Sequence, residues 1–502
     1  MNKYKIYFLS ILSGLLISLP LSYPKLYFLS WIGLVPFLYI IKSGTGGSYS
    51  RYFTTGTLLG TTIIFSSSFW LYYPLVEFSG LPLFFAIFLF VLVFILFGLI
   101  YGIWTCLFVF IKNQRKISPF FLAISWTAFE YLRFRFIPAL PFGFIAYTQS
   151  EFSSLVQFAE FGGIYLIVFI IMLINGYMFK LLLQKEVKYL IPVLLILIII
   201  TGVGTVRRNY FNKIEKDYIP VGVVQSNLTP DDKWHLSNIE SNFDYFIEQS
   251  QELSDSLLIV WPESSLTFDL VRNEFYREKF FQKAAVIKSS YIQTGSLATV
   301  DGGLKKYNSS FLISPDSRII GRYNKNFLVP FGEYMPMSDL VEKLTGITMS
   351  SELPGEEITI FQVDGQKWKT VICSEILYPG LVKKGVKEAD FIVNQSNEAW
   401  YKKGNLQEQM WTAALYRAVE NRRSVLKSGN TAYGGVVSAD GTIIIKKHSN
   451  EVNSFTAELP VVNITTLYQK WGDYIGYLSA IIVLILLIIK SFLYFYYREK
   501  GL

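Results

Sequence analysis

Lys369-Thr-Val-Ile-Cys-Ser-Glu375 is a short run of β-branched and apolar residues that ends on a thiol. Such a run reads as a buried strand, which places Cys373 where the strand gives way to a turn. No other cysteine occurs between residues 207 and 472, a long polar block bounded by apolar stretches. Two further segments of the block have the same character. Ser256-Leu-Leu-Ile-Val260 is followed by Trp261-Pro-Glu263-Ser264, and Lys325 opens Lys-Asn-Phe-Leu-Val-Pro-Phe-Gly-Glu333. Strands are also expected at Ile219–Gln225, Tyr291–Gly295, Phe311–Ser314 and Asp390–Asn394, with helices at 236–254 and 405–423. Short apolar strands alternating with helices predict an α/β fold whose sheet is covered on its faces.

The rest of the chain is far more apolar. Over 502 residues, 52% are hydrophobic and the mean hydropathy is +0.36, which implies membrane spans. A span needs about 20 apolar residues. Seven are expected before the block, at 5–22, 26–42, 53–73, 81–111, 119–137, 155–181 and 189–206, and an eighth at 474–495. The fourth is long enough to tilt strongly or break, and Glu130, Arg133 and Arg135 interrupt the fifth. The domains predicted are therefore 1–206 (seven spans), 207–472 (α/β) and 473–502 (eighth span and tail). The first apolar run has no cleavage motif and reads as a retained span.

The net charge of +8 and pI of about 9.0 do not indicate nucleic acid, because the basic residues cluster in short loops beside the apolar runs. Lys3, Lys5, Lys42, Arg51, Lys112, Arg115, Lys116, Lys180, Lys185 and Lys188 mark one side, and Arg498 and Lys500 end the chain. By the positive-inside rule both termini are cytoplasmic, and the even span count puts 207–472 on the outer face. Two cysteines in such different surroundings exclude a disulfide framework, and two histidines exclude a histidine-rich metal site.

A thiol, a carboxylate and an amine in this setting support covalent acyl chemistry without histidine. The thiolate of Cys373 is the nucleophile, Glu263 can accept its proton, and Lys325 can stabilise the negative oxygen of a tetrahedral intermediate. The backbone N–H of Ser374 is a natural second donor to that oxygen. Each residue also has a plainer reading: Cys373 as a small buried hydrophobe, Lys325 as a solvated cation, Trp234 as packing.

Taken together, Trp-Pro-Glu263-Ser, Lys325-Asn-Phe-Leu-Val-Pro-Phe-Gly-Glu333-Tyr-Met-Pro and Ile-Cys373-Ser-Glu375 resemble the nitrilase superfamily, and more narrowly the apolipoprotein N-acyltransferase family. Further matches are Glu130-Tyr-Leu-Arg133 with Leu140-Pro141, Gln225-Ser-Asn227, Tyr307-Asn-Ser309, Pro354-Gly-Glu356, Ser396-Asn-Glu398-Ala-Trp400 and Arg417-Ala-Val-Glu420. The resemblance implies a multi-span α-helical membrane domain plus an α/β nitrilase-like domain built as an αββα sandwich. It implies that Glu263 is the base, Lys325 the oxyanion partner and Cys373 the nucleophile. Glu333 would support Lys325, Glu375 would be needed for activity, and Trp234 would guard the pocket mouth.

The implied reaction moves an acyl chain from a phospholipid, phosphatidylethanolamine above all, to the α-amine of a diacylated apolipoprotein through a Cys373 thioester. No cofactor or metal is implied. The expected setting is the inner (cytoplasmic) membrane of a bacterium, with the catalytic domain on the periplasmic face. Phe327, Leu328, Val329, Phe331, Trp400 and Tyr401 are candidates to roof the thioester. Residues 335–352, with Met335, Met337, Leu340 and Leu344, form a candidate lid. The chain departs from the family pattern at Ser374 (usually tyrosine), Phe327 (histidine), Glu398 (aspartate), Ala432 (glycine) and Phe142 (tryptophan). A membrane-anchored amidase sharing the triad, and a transporter or sensor with an outer binding domain, are the alternatives.

Overall fold

The computed structural model describes residues 2–44, 48–112, 116–137, 141, 143–300, 305–330, 332–334, 338, 343, 352–402, 404–451 and 453–499. Arg115, Leu140, Phe142, Phe331, Met335, Met337, Leu340, Leu344 and Lys500 lie outside the described residues. The chain forms two compact units. One comprises Met1–Lys213, Lys403–Thr412 and Lys470–Leu502, the other Ile214–Lys402 and Ala413–Gln469.

The first unit is a multi-span membrane domain. Among the described residues, six helical stretches are long and apolar enough to cross a bilayer: Lys3–Ser22, Pro24–Ser43, Leu83–Lys112, Ala159–Gln184, Val187–Lys213 and Tyr474–Tyr496. The third and fifth expected spans are helices over Tyr49–Ser68 and Pro119–Phe136, but their Ser, Thr and charged residues keep them out of this apolar set. Those polar groups are used within the unit. Trp126 Nε1 donates to Glu130 Oε1 at 2.9 Å, and the Arg133 guanidinium lies 5.0 Å from the centre of the Phe144 ring. Glu160 is paired with Arg207, whose Nη2 donates to Oε2 at 2.8 Å.

Tyr49–Ser68 packs against Leu83–Lys112 through small residues. A Cβ on Gly98 would come within 2.1 Å of Thr61 Oγ1, so the two backbones approach closely only because that side chain is missing. Leu83–Lys112 is one uninterrupted helix, although a break was one expectation for so long a run. The break falls instead in Ala159–Gln184, where Gly163 adopts a φ of 63°.

The second unit holds twelve described strands in two six-stranded sheets. The strands are β1 (Asp217–Val224), β2 (Leu258–Val260), β3 (Tyr291–Val300), β4 (Lys305–Ile313), β5 (Ile319–Asn324), β6 (Ile360–Val363), β7 (Gln366–Ile372), β8 (Phe391–Asn397), β9 (Ser424–Asn430), β10 (Tyr433–Val437), β11 (Ile443–His448) and β12 (Ser454–Val461). The sheet orders are β12-β1-β2-β3-β4-β5 and β11-β10-β9-β8-β7-β6. In each, three central strands run parallel (β1-β2-β3 and β7-β8-β9) and the flanking strands are antiparallel.

Alternation along the strands explains the layering. Ile259, Trp261, Ile292, Phe311 and Ile313 join a buried core with Phe243, Phe246 and Phe280 of helices Ile239–Gln251 and Glu274–Ala284. The intervening residues face the other sheet. Gln293 Nε2 donates to Ser310 Oγ at 2.9 Å and across to Thr370 Oγ1 of β7 at 2.8 Å, while Trp368 Nε1 donates to Gln293 Oε1 at 2.7 Å. Every polar atom named in this inter-sheet layer has a partner, as burial requires. The result is the αββα arrangement.

Candidate active site

Three strands end on the three expected residues. β2 is followed by Glu263, β5 by Lys325 and β7 by Cys373. Ligand sites in α/β sheets form outside the carboxyl ends of the strands, and all three residues lie at such ends. Trp261 fixes the first. It is fully buried, stacks on Phe246 with ring centres 5.2 Å apart, and donates from Nε1 to Ser250 Oγ at 2.9 Å. The chain then turns at Glu263-Ser264, with Ser264 at a φ of 52°. Gly295 of β3 makes room for that turn, since a Cβ there would lie 2.3 Å from the Ser264 nitrogen.

Cys373 has a φ of 51°, a left-handed conformation that costs a non-glycine residue on the order of 1 kcal/mol or more. It opens a 3₁₀ turn over Cys373–Leu377. The strand-to-turn junction expected from sequence is thus a strained elbow that presents the thiol at the strand end.

The carboxylate of Glu263 is held from two sides. Asn308 Nδ2 donates to Oε1 at 2.7 Å, and the backbone N–H of Asn397 donates to Oε2 at 2.8 Å. Lys325 Nζ stands 3.5 Å from Oε1 and also binds Glu333 Oε1. Asn308 serves twice, because its carbonyl accepts the Lys325 backbone N–H at 2.9 Å. Glu333 is fixed in turn by the Val329 N–H, which donates to Oε2 at 2.9 Å. Lys325 is completely buried. Burial disfavours its ammonium, but Glu333 and Glu263 outweigh that and hold its pKa well above the usual lysine range. The Cys373 thiol is pushed far up by burial and by the Glu263 carboxylate, with Lys325 opposing. At neutral pH the resting site therefore contains the Cys373 thiol and the Lys325 ammonium.

Glu375 acts on the backbone. Its Oε1 accepts the N–H groups of Asn326 at 2.7 Å and Phe327 at 3.0 Å, its Oε2 accepts that of Ile372 at 2.7 Å, and Tyr323 Oη donates to both oxygens. One buried side chain thereby joins the Lys325 segment to the cysteine elbow.

Ser374 follows the nucleophile, and its Oγ is buried without a hydrogen-bond partner among the described residues. Trp234 and Trp400 each remain more than a third exposed. Of the expected roof, Leu328 is buried, Phe327 packs on Tyr378 with ring centres 4.0 Å apart, and the Tyr401 hydroxyl is pushed above its ordinary range by burial and by the field of Cys373.

Sequence reasoning missed Lys233. It is 1% exposed, donates from Nζ to the Glu263 carbonyl at 2.9 Å, and has its pKa pushed down to about 8 by burial, against the pull of Glu263. Its place beside Trp234 was the available signal. Asn308 and Asn397 lay inside matched motifs but had no assigned role. Glu398 forms a fully buried ion pair with Lys427 at 2.8 Å, so the extra methylene relative to aspartate is accommodated. Among the described residues, no group of three or more His, Cys, Asp or Glu side chains could hold a metal ion.

Residues 13–177 match the apolipoprotein N-acyltransferase N-terminal domain, and residues 221–468 match the carbon-nitrogen hydrolase domain. An apolipoprotein N-acyltransferase of Geobacter metallireducens is 26% identical over 93% of this chain and 92% of its own length. One of Rickettsia prowazekii is 26% identical over 97% of this chain and 98% of its own. Among solved structures, an amidase from Nesterenkonia sp. is similar at 14% identity and a TM-score of 0.38, covering 51% of this chain and 94% of that one. With both domains matched in the expected order and the two sequence relatives aligned almost end to end, the chain belongs to the apolipoprotein N-acyltransferase family.

Proposed function

We propose that this chain transfers a fatty acyl group from a phospholipid to the N-terminal α-amine of a diacylglyceryl-cysteine lipoprotein, with Glu263, Lys325 and Cys373 as its catalytic residues. The observation that supports this reading best is the meeting of three strand ends, where the Lys325 ammonium stands between Glu263 and Glu333 and Cys373 is held on a strained elbow. The family's relatives carry the lipoprotein acyltransferase name, and the apolar helices of this chain suit a lipid donor.

The reaction proceeds in two halves. Glu263 takes the Cys373 proton as sulfur attacks the ester carbonyl carbon. Lys325 and the Ser374 N–H stabilise the oxyanion. The ester C–O bond breaks, the lysophospholipid alkoxide leaves with the proton from Glu263, and a thioester remains. The acceptor amine then attacks the thioester, the C–S bond breaks, and sulfur regains a proton. Phosphatidylethanolamine is the donor we favour. We place the catalytic domain, residues 207–472, on the periplasmic face of the inner membrane. Residues 1–206 form the N-terminal membrane domain, residues 473–502 carry the last span, and both termini are cytoplasmic.

Intact-mass spectrometry after incubation with phosphatidylethanolamine tests the reading. A gain of one acyl chain, removed by hydroxylamine and missing in Cys373→Ala, is expected. A folded protein without adduct that instead hydrolyses a simple amide would support the amidase alternative.

A further inference from the structure

Acylating an amine at neutral pH releases a proton, and Lys325 cannot take it because it already carries one. The acceptor arrives as an ammonium, with an ordinary pKa of about 8. It must lose one proton before its lone pair can attack. It loses a second as the tetrahedral intermediate collapses, and that one goes to the departing sulfur by way of Glu263. The first needs another base.

Glu352 occupies a place suited to this. Its backbone N–H donates to the Glu333 carbonyl at 2.8 Å, and the next residue, Leu353, donates to the Lys306 carbonyl at 2.8 Å. The segment is thus stitched between the Glu333 turn and β4. The side chain is 12% exposed; Oε1 stands 4.0 Å from Lys306 Nζ, while Oε2 is buried with no hydrogen-bond partner among the described residues. Among the described residues, the charged groups that act on it are Glu333, Lys325, Lys306 and Glu263. Side-chain exposure is 33% at Lys306, 12% at Glu352, 17% at Glu333 and 0% at Lys325, so the two carboxylates are intermediate between an open lysine and a sealed one. A carboxylate oxygen without a partner, between solvent and the buried triad, is costly unless it has a use.

Resting on the acyl-transfer reading above, we infer that Glu352 is the base that takes the first proton from the acceptor α-ammonium and passes it to solvent beside Lys306. Burial and the neighbouring Glu333 push its carboxyl up to about 7, close to where a general base at neutral pH works best. The balance is then complete. The thioester and the ammonium yield an amide, the Cys373 thiol and one proton, which leaves through Glu352. Glu263 ends each half-reaction as it began.

The test separates the two halves in the full-length protein. Wild type and Glu352→Gln are first loaded from phosphatidylethanolamine and the thioester is read by intact mass. A diacylglyceryl-cysteine lipopeptide is then added and the decay of the thioester followed. Glu352→Gln should load at the wild-type rate, which also shows that it folds. Its amine transfer should be slowed roughly 100-fold near neutral pH. The deficit should shrink above about pH 8.5, where the free amine is abundant. Equal amine transfer by both proteins, with one pH profile, overturns the inference and leaves the acyl-transfer reading intact. Failure of Glu352→Gln alone to load also overturns it, since the carboxylate would then be needed before any amine arrives. No thioester in either protein overturns the acyl-transfer reading and this inference with it.

Discussion

Glu375 accepts the backbone N–H of Asn326 at 2.7 Å, which anchors the residue after Lys325 to the residue two places after Cys373. Its other oxygen takes the N–H of Ile372, so the elbow and the lysine segment share one buried anchor. Glu375→Ala would orphan these donors and the Tyr323 hydroxyl. The expected cost is about 3 kcal/mol in the unfolding of the α/β unit, with turnover down roughly 100-fold at a nearly unchanged KM. Thermal unfolding and steady-state kinetics of the purified variant check both. A fall in KM-governed binding with kcat preserved would contradict a positioning role.

The thiol's titration gives a test with a definite sign. An anionic neighbour disfavours the thiolate, and Glu263 is the main charge raising the Cys373 pKa after burial itself. Alkylation by a small iodoacetamide should therefore still be rising with pH above about 9, past the ordinary thiol midpoint. Glu263→Gln removes the negative charge while Lys325 stays. Its alkylation at a fixed pH near 8 should be faster than wild type, and its acyl transfer should be lost. Slower alkylation in this variant would mean that Glu263 favours the thiolate at rest.

Lys325 compensates two carboxylates at once. Lys325→Met leaves Glu263 and Glu333 facing each other without a cation in a buried site, which should destabilise the unit by about 3 kcal/mol. Glu333→Gln added to that variant removes one of the two charges and should restore part of the loss, although activity stays absent. The double variant unfolding at a lower temperature than Lys325→Met would show that Glu333 does more than pair with the lysine.

Two of the three strands that carry the triad were legible because each is a short apolar run ending on a polar residue that packing does not explain: Val260 before Trp-Pro-Glu263, and Ile372 before Cys373; β5, which precedes Lys325, was not read. The resemblance of the flanking motifs then supplied the αββα layering. β9 was not read, although it supplies Lys427 and Asn430 to the site's surroundings, because Ser424-Val-Leu-Lys-Ser-Gly-Asn430 mixes polar and apolar residues without alternation. Burial on both faces, with Lys427 paired to Glu398, removes the pattern that a half-exposed strand would show. Lys233 escaped for a related reason. A single lysine in Pro-Asp-Asp-Lys-Trp looks solvated, and only tertiary structure carries its amine to the Glu263 carbonyl. In the membrane unit, hydropathy located the long apolar helices. It had no means of finding the break at Gly162 and Gly163, which depends on the non-helical backbone of two adjacent glycines.

Gly295 offers a way to disturb the base while leaving the nucleophile alone. Its Cα lies under the Glu263-Ser264 turn, and a methyl group there would sit 2.3 Å from the Ser264 nitrogen and 2.9 Å from the Glu263 Cα. Both are backbone atoms with no side-chain freedom to give way, so the turn itself must move. Gly295→Ala should shift the Glu263 carboxylate relative to Asn308 and the Asn397 N–H, the two donors that orient it. A displacement of this kind, on the order of 1 Å, typically costs about 100-fold in rate. The Cys373 elbow is built on β7, in the other sheet, and should be unaffected. The expected result is therefore a large loss of thioester formation from phospholipid at neutral pH, with iodoacetamide labelling of Cys373 at high pH equal to that of wild type. If labelling falls in step with acyl transfer, Gly295 supports the whole site and not the Glu263 turn alone.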